Sequence, residues 1–419
     1  MAGTVKTTWA MGHRRMLLAW LLALGLGAGL LVYFHRSPPP DPILIGVIHG
    51  LTGNMAVSEL PLVQSITLAV EEINQQGGLL GRPVAMIVAD SQSDPDIAAQ
   101  EAERLILEAG VSALFACWTS ACRKAVKPVV ERHQHLMFYP LQYEGLEQSP
   151  HIIYGGLAPN QQIIPGTRWA LDHWGNRVYL LGSDYIFPRT AHVIIKDLIR
   201  AVDGQVVGER YVPLGDDQMA DIMAELAQLS PDVIVNTING VSNLALFRAL
   251  HQSNLTHLPI VSFSVAEREL ASMPDIHHPN HFAVWGYFQS LDTPGNRAFV
   301  QQFQTRFGAD ETVSDPMEAA YVNVKLWAQA VQTSGSITPE QVNQSVLLQS
   351  VPAPSGIVSI DGGTRHAWRM SYVGQARPDG QFDIVFSLPD PIRPMPFPGH
   401  RPLHVWQQIA QRLSADINS

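Results

Sequence analysis

The sequence predicts an α/β protein built from two doubly wound, parallel-sheet lobes. Three observations carry that prediction. Short apolar runs alternate with amphipathic segments from Pro42 onward, and the alternation comes in two successive series. The chain is also 419 residues long, 46% hydrophobic and only 15% charged, which suffices for more than one sizeable core. In the first series Ile43–Ile48 and Val84–Ala89 read as buried strands. Between them Leu62–Asn74 reads as a helix, because Val63, Ile66, Ala69, Val70 and Ile73 share one face and Gly77-Gly78 ends it. Helix Asp96–Ala109, strand Ala113–Ala116, helix Ser120–Arg132 and strand Leu136–Phe138 follow.

The second series opens with helix Gln161–Trp174 and strand Arg177–Leu181. Helix Pro188–Ala201, strand Gln205–Tyr211, helix Met219–Gln228, strand Asp232–Asn236 and helix Ser242–His251 continue it. A third stretch starts at Phe282, with helices over Pro294–Phe307, Pro316–Thr333 and Thr338–Gln349. Strands Gly356–Ile360, Ala367–Gln375 and Phe382–Ser387 come next, then a Pro-rich tail that turns weakly helical at His404.

Composition excludes several classes. So apolar a chain buries enough surface to offset its ordering entropy, which excludes disorder. Two cysteines cannot form a disulfide scaffold, and no segment recurs at a fixed period. The net charge of −10 argues against nucleic acid, which demands clustered Lys and Arg.

That charge is unevenly spread. Residues 1–36 hold Lys6, Arg14, Arg15 and Arg36 and no acid, so subtracting their +4 leaves −14 on the rest. Met16–Phe34 contains neither a charge nor a proline, and 19 helical residues span roughly 28 Å, close to a bilayer core. Arg14 and Arg15 precede it, which predicts a cytoplasmic N-terminus and an exported remainder. The segment reads as an uncleaved anchor or a cleaved signal peptide, and Pro38-Pro39-Pro40 as a stiff spacer.

Open α/β sheets bind ligands beyond the carboxyl ends of their strands. Cys117-Trp118-Thr119-Ser120 follows the third strand and leads into a helix, where Thr119 or Ser120 suits a cap and Trp118 offers a flat face. Tyr139 and Gln142 follow the next strand, with a hydroxyl and an amide. Tyr185, Asn239, Ser264 and Tyr287 stand after later apolar runs. Each alone suits a turn; together, uncharged donors and acceptors beside aromatic rings predict a ligand cleft.

Reactive chemistry is not visible. There is no H-E-x-x-H, C-x-x-C or G-x-S-x-G, and no nucleophile stands beside a base, so the sequence does not read as an enzyme and implies neither metal nor cofactor. Asp184, Glu144 and Glu267 could pair for acid–base work, but each also suits a helix start or surface turn, and His133 and His135 read as exposed. Cys117 and Cys122, five apart across a strand-to-helix turn, could meet only with backbone strain and read as two buried thiols, although an exported location permits a bond.

Long motifs carry a resemblance. GVIHGLTGNMAVSELPL, EEINQQGGLLGRPV, ACWTSACRKAVKPVVERH, YPLQYEGLEQSP, APNQQIIP, GSDYIFPRT and SDPMEAAY, spread between about Ile43 and Pro396, resemble the urea-binding proteins of bacterial ABC transporters. They are equally similar to the wider amide- and urea-binding branch of the type I periplasmic binding proteins. The resemblance implies two Rossmann-like lobes joined by a three-crossing hinge and closing on a small neutral ligand. It implies lobe 1 from 42–156 with 285–352, lobe 2 from 157–284 with 353–400, and a tail over 401–419, behind the leader of 1–41. It also implies ligand contacts at Trp118, Thr119, Ser120, Tyr139, Gln142 and Tyr185; Asn239, Ser264 and Tyr287 come from strand-end position alone.

Two departures stand out: the leader, and Cys122 where the family more often has Ser. An amide-sensing cytoplasmic regulator of the same branch has Tyr where Trp118 stands and lacks the counterpart of Leu141-Gln142, which favours urea and export here. The expected function is an extracytoplasmic protein handing urea or a short-chain amide to an ABC permease. The alternatives are a tethered sensor held in the membrane by residues 16–34, and a branched-chain amino acid-binding protein.

Overall fold

Two separate sheets organise the chain, one all parallel and one closed at its edge by the antiparallel strands Tyr372–Ala376 and Phe382–Ser387, and the carboxyl ends of their parallel strands turn toward each other. The computed structural model describes residues 40–417 together with Met16, Ala19 and Trp20. The rest of the apolar run Met16–Phe34 lies outside the described residues. Among the described residues no helix is long and apolar enough to cross a membrane.

The first sheet is built from β1 (Ile43–His49), α1 (Ala56–Gln75), β2 (Val84–Asp90), α2 (Pro95–Leu107), β3 (Leu114–Ala116), α3 (Ser120–Arg132), β4 (Met137–Tyr139) and β5 (Ile152–Tyr154). Its order is β2-β1-β3-β4-β5, all parallel. Two of its helices start where the sequence supplies a side-chain cap. Asp94 accepts from the N–H groups of Asp96 and Ile97 ahead of α2, and Thr119 Oγ1 from Cys122 N ahead of α3. β5 was not anticipated, since three residues carry too little alternation to read as a strand.

The second sheet gathers α4 (Ile163–Trp174), β6 (Arg177–Ser183), α5 (Ile186–Ala201), β7 (Gln205–Val212), α6 (Ala220–Leu229), β8 (Val233–Thr237), α7 (Val241–Gln252), β9 (Ile260–Ser262), α8 (Glu267–Ala271) and β10 (His281–Trp285). The chain then returns to the first unit with α9 (Pro294–Phe307), α10 (Asp315–Ser334), α11 (Pro339–Ser345) and the hairpin β11 (Ser350–Ala353) and β12 (Gly356–Ser359). Phe299, Phe303, Met317 and Trp327 from these helices join Ile45, Val47 and Phe115 in one apolar core. β13 (Tyr372–Ala376) and β14 (Phe382–Ser387) then complete the order β14-β13-β10-β9-β8-β6-β7, and α12 (Leu403–Ile417) closes the described chain. The strand anticipated over Ala367–Gln375 is shorter, because only an isolated bridge, Ile360 to Ala367, forms at its start.

The chain therefore passes between the two units three times, after β5, after β10 and after β12. A buried ion cluster ties two of these passages together. Arg369 meets Asp315 at 3.0 Å and Glu318 at 2.7 Å. Asp315 also accepts from Gly286 N at 3.0 Å, and Glu318 from Ser355 Oγ at 2.6 Å.

Candidate functional site

Four sets of hydrogen bonds cross from the carboxyl edge of the first sheet to that of the second. Trp118 Nε1 donates to Asn239 Oδ1 at 3.2 Å. Gln142 Nε2 donates to Phe263 O at 3.0 Å and to Ser264 Oγ at 3.1 Å. Asn54 Nδ2 donates to Leu214 O at 3.1 Å, and Ser58 Oγ to Glu269 Oε1 at 2.6 Å. Gly240 makes this approach possible. It sits at φ +62, and an added Cβ would lie 2.6 Å from Asn54 O across the gap. These bonds describe a closed arrangement in which strand-end residues of both units touch.

Behind the first-sheet edge lies a charge network that the sequence did not suggest. Arg123, one turn into α3, is fully buried. It donates to Ser120 Oγ at 3.0 Å, Glu144 Oε1 at 3.1 Å and Glu147 Oε1 at 2.9 Å. Its guanidinium stacks 4.8 Å from the Tyr139 ring centre and 4.5 Å from that of Tyr143. Burial alone would lower its pKa, but the carboxylates of Glu147 and Glu144 hold it well above the ordinary arginine value. Burial likewise acts to raise Glu147, yet Arg123 and Lys124 keep it below the usual carboxylate range. Glu144 and Glu267, which from sequence also suit helix starts or surface turns, are both buried.

The network fixes the candidate contacts. Ser120 donates its single hydroxyl proton to Glu144 at 2.5 Å and accepts from Arg123, which leaves one oxygen lone pair free. Tyr139 donates to Trp118 O at 2.7 Å, holding the Trp118 loop. Tyr143 reaches His366 Nε2 at 2.5 Å, and that ring lies parallel to Tyr154 at 4.2 Å. Burial pushes His366 down to about 3, so it stays neutral.

Several polar atoms at the sheet edges keep no protein partner. Gln142 Oε1 is buried and unbonded, and the Tyr185 hydroxyl makes no hydrogen bond among the described residues. Tyr185 is buried, which raises its phenol well above the ordinary value, with the nearby Tyr139 and Glu144 adding to the rise. The Tyr185 ring also lines a cavity of about 410 Å³ with Asp94, Ala121, Lys124 and Ser414.

The structure thus brings Trp118, Ser120, Tyr139, Gln142, Tyr185, Asn239 and Ser264 to the facing edges, while Thr119 spends its side chain on the helix cap. Tyr287 lies elsewhere, packed on Phe299 in the first unit's core with its hydroxyl 2.6 Å from Asn296 Oδ1. His135, read as exposed, is buried against Val111 O at 2.8 Å. Sequence reasoning missed Arg123 and the pair His49–Glu59. Arg123 did leave a signal, since it stands on the stripe of Val126 and Val130 that packs α3 inward.

The expectation of two free thiols is overturned. Cys117 and Cys122 are joined in a disulfide with their Cα atoms 5.6 Å apart, an ordinary bridging distance. The turn permits it because Cys117 takes φ +72, which folds the chain back onto the first turn of α3. The bond encloses Trp118, Thr119 and Ser120. Replacing both cysteines with serine is expected to cost about 2 kcal/mol by loop-closure entropy, read as a lower guanidinium chloride midpoint; an unchanged midpoint would remove the bond from the account.

A family model described as periplasmic binding protein domain matches residues 43–403. The chain belongs to this family. Membership places it among extracytoplasmic solute-binding proteins, in keeping with the two-sheet arrangement. A Brucella melitensis protein named Leu/Ile/Val-binding protein homolog 6 is 22% identical over 342 residues, 80% of this chain and 87% of that one. The solute-binding protein of an ABC transporter from R. palustris, solved with 4-hydroxybenzoate, superposes with a TM-score of 0.75. It is 24% identical, and the match covers 84% of this chain and 98% of that one. A Geobacillus stearothermophilus protein named limonene hydroxylase is 36% identical over 116 residues, 28% of this chain. The match spans only 21% of that relative's length.

Proposed function

We propose that this periplasmic binding protein captures urea or a short-chain amide between its two sheets and delivers it to an ABC permease. The ligand-contacting set is Trp118, Ser120, Tyr139, Gln142, Tyr185, Asn239 and Ser264, with Thr119 shaping the loop through its helix cap. The lobes are 42–156 with 285–352, and 157–284 with 353–400; the basic, apolar leader serves as export signal or tether.

The single observation that supports a ligand without a carboxylate is that the cations beside the site, Arg123 and Lys124, already have internal carboxylate partners. Arg123 is taken by Glu144 and Glu147, and Lys124 lies 3.1 Å from Glu147. A benzoate or an amino-acid carboxylate would need a free cation, and an ammonium a free carboxylate; a buried, unpaired charge is costly. What stays free is acceptor capacity, at Gln142 Oε1 and one Ser120 lone pair, plus the Tyr185 hydroxyl. That pattern suits several N–H donors and one carbonyl oxygen. Polar groups so arranged reject analogues that leave them unpaired.

Closure follows from the same geometry. Contacts from both sheets to one ligand exist only when the edges meet, so the ligand favours the closed form. A thermal-shift panel of urea, formamide, acetamide, leucine and 4-hydroxybenzoate tests the reading. Urea or an amide at a hundred times its Kd should stabilise the protein by about 2.7 kcal/mol, with no shift from leucine or 4-hydroxybenzoate. Stabilisation by leucine alone would instead support the amino-acid reading suggested by the name of the Brucella relative.

A further inference from the structure

A buried histidine at the end of β1 has half of its hydrogen-bonding capacity unused. His49 is the last residue of β1, which lies between β2 and β3, and is fully buried. Its Nδ1 lies 2.9 Å from Glu59 Oε2, which also accepts from Gly50 N at 3.0 Å. A carboxylate only accepts, so Nδ1 is the donor, and in the neutral ring Nε2 keeps its lone pair. His49 Nε2 is buried and has no partner.

Its position is that of the candidate contacts. Cys117 N, just ahead of the Trp118 loop, donates to Ile48 O at 3.0 Å, so His49 lies beside that loop on the same sheet edge. Glu59 follows Ser58, whose hydroxyl bridges to Glu269 of the opposite unit. Glu59 is also near enough for its charge to act on the Tyr185 phenol. The first turn of α1 therefore stands at the closing interface, with the His49 ring at its base.

We infer that His49 is a further ligand-binding residue, its Nε2 accepting an N–H from the bound amide, with Glu59 as the positioning residue that fixes the tautomer. The inference rests on the amide reading of the site and adds to it a nitrogen acceptor matched to a ligand N–H. A buried acceptor left unbonded is unfavourable, and a ligand N–H placed against it removes that penalty.

The test uses the full chain labelled with ¹⁵N-histidine, titrated with urea and with acetamide, and followed by calorimetry and imidazole ¹⁵N resonances. The unprotonated Nε2 signal of His49, assigned through its ring protons, should move in step with the binding heat. His49→Phe, which keeps a buried ring of similar size, should weaken binding at least about tenfold, and Glu59→Gln should weaken it less. Binding heat from the wild type with a stationary Nε2 signal would overturn this inference and leave the amide reading intact, whether or not His49→Phe folds. Unchanged affinity in a folded His49→Phe would do the same. No heat from either urea or acetamide would bring down the amide reading, and this inference with it.

Discussion

Arg123→Met should destabilise the protein by about 3–5 kcal/mol, the usual cost of breaking a buried ion pair from one side. Methionine fills much of the guanidinium's space, so the loss comes mainly from Glu144 and Glu147, left at the centre of a buried site with only Lys124 nearby. The rings of Tyr139 and Tyr143 lose their stacked cation at the same time. Denaturation should show a large drop in midpoint with an unchanged slope. A midpoint like the wild type's would mean that the network does not hold the Ser120 side of the site.

Trp118→Ala is expected to weaken urea binding at least about tenfold, or 1.4 kcal/mol. The change removes an aromatic face, a buried volume and the indole N–H bond to Asn239 that joins the two sheet edges. Trp118→Phe should fall between the two, since it keeps a face and loses the N–H. Calorimetry on both variants, with denaturation as a control for folding, separates the parts. Unchanged affinity in Trp118→Ala would remove this residue from the site.

Much of the fold was legible because local signals agree with tertiary structure. Helices Ser120–Arg132 and Pro294–Phe307 run as read, each introduced by a threonine whose hydroxyl accepts from a helix N–H. Strand Phe382–Ser387 also runs as read. Where signals were short or non-local, reading stopped. β5 is three residues long, and α8 is five. The Cys117–Cys122 bond depends on a single backbone angle at Cys117 that no spacing rule reveals.

The site followed the same division. Looking beyond strand ends singles out Trp118, Tyr139, Gln142, Tyr185, Asn239 and Ser264 as candidates, since topology dictates where such residues gather. His49 also follows an apolar run, Ile43–Ile48, but nothing local marks its pairing with Glu59 ten residues further on. Charge balance was out of reach for a different reason. Arg123 meets carboxylates 21 and 24 residues further along the chain, and nothing local pairs them. On the proposed reading, that pairing separates a site for a neutral amide from one that binds a carboxylate.

Calorimetric titration of the protein with urea and, separately, with leucine tests this central claim most directly. Internally paired charges and free acceptors predict saturable heat from urea and none from leucine. Tight binding of leucine with no heat from urea would contradict it.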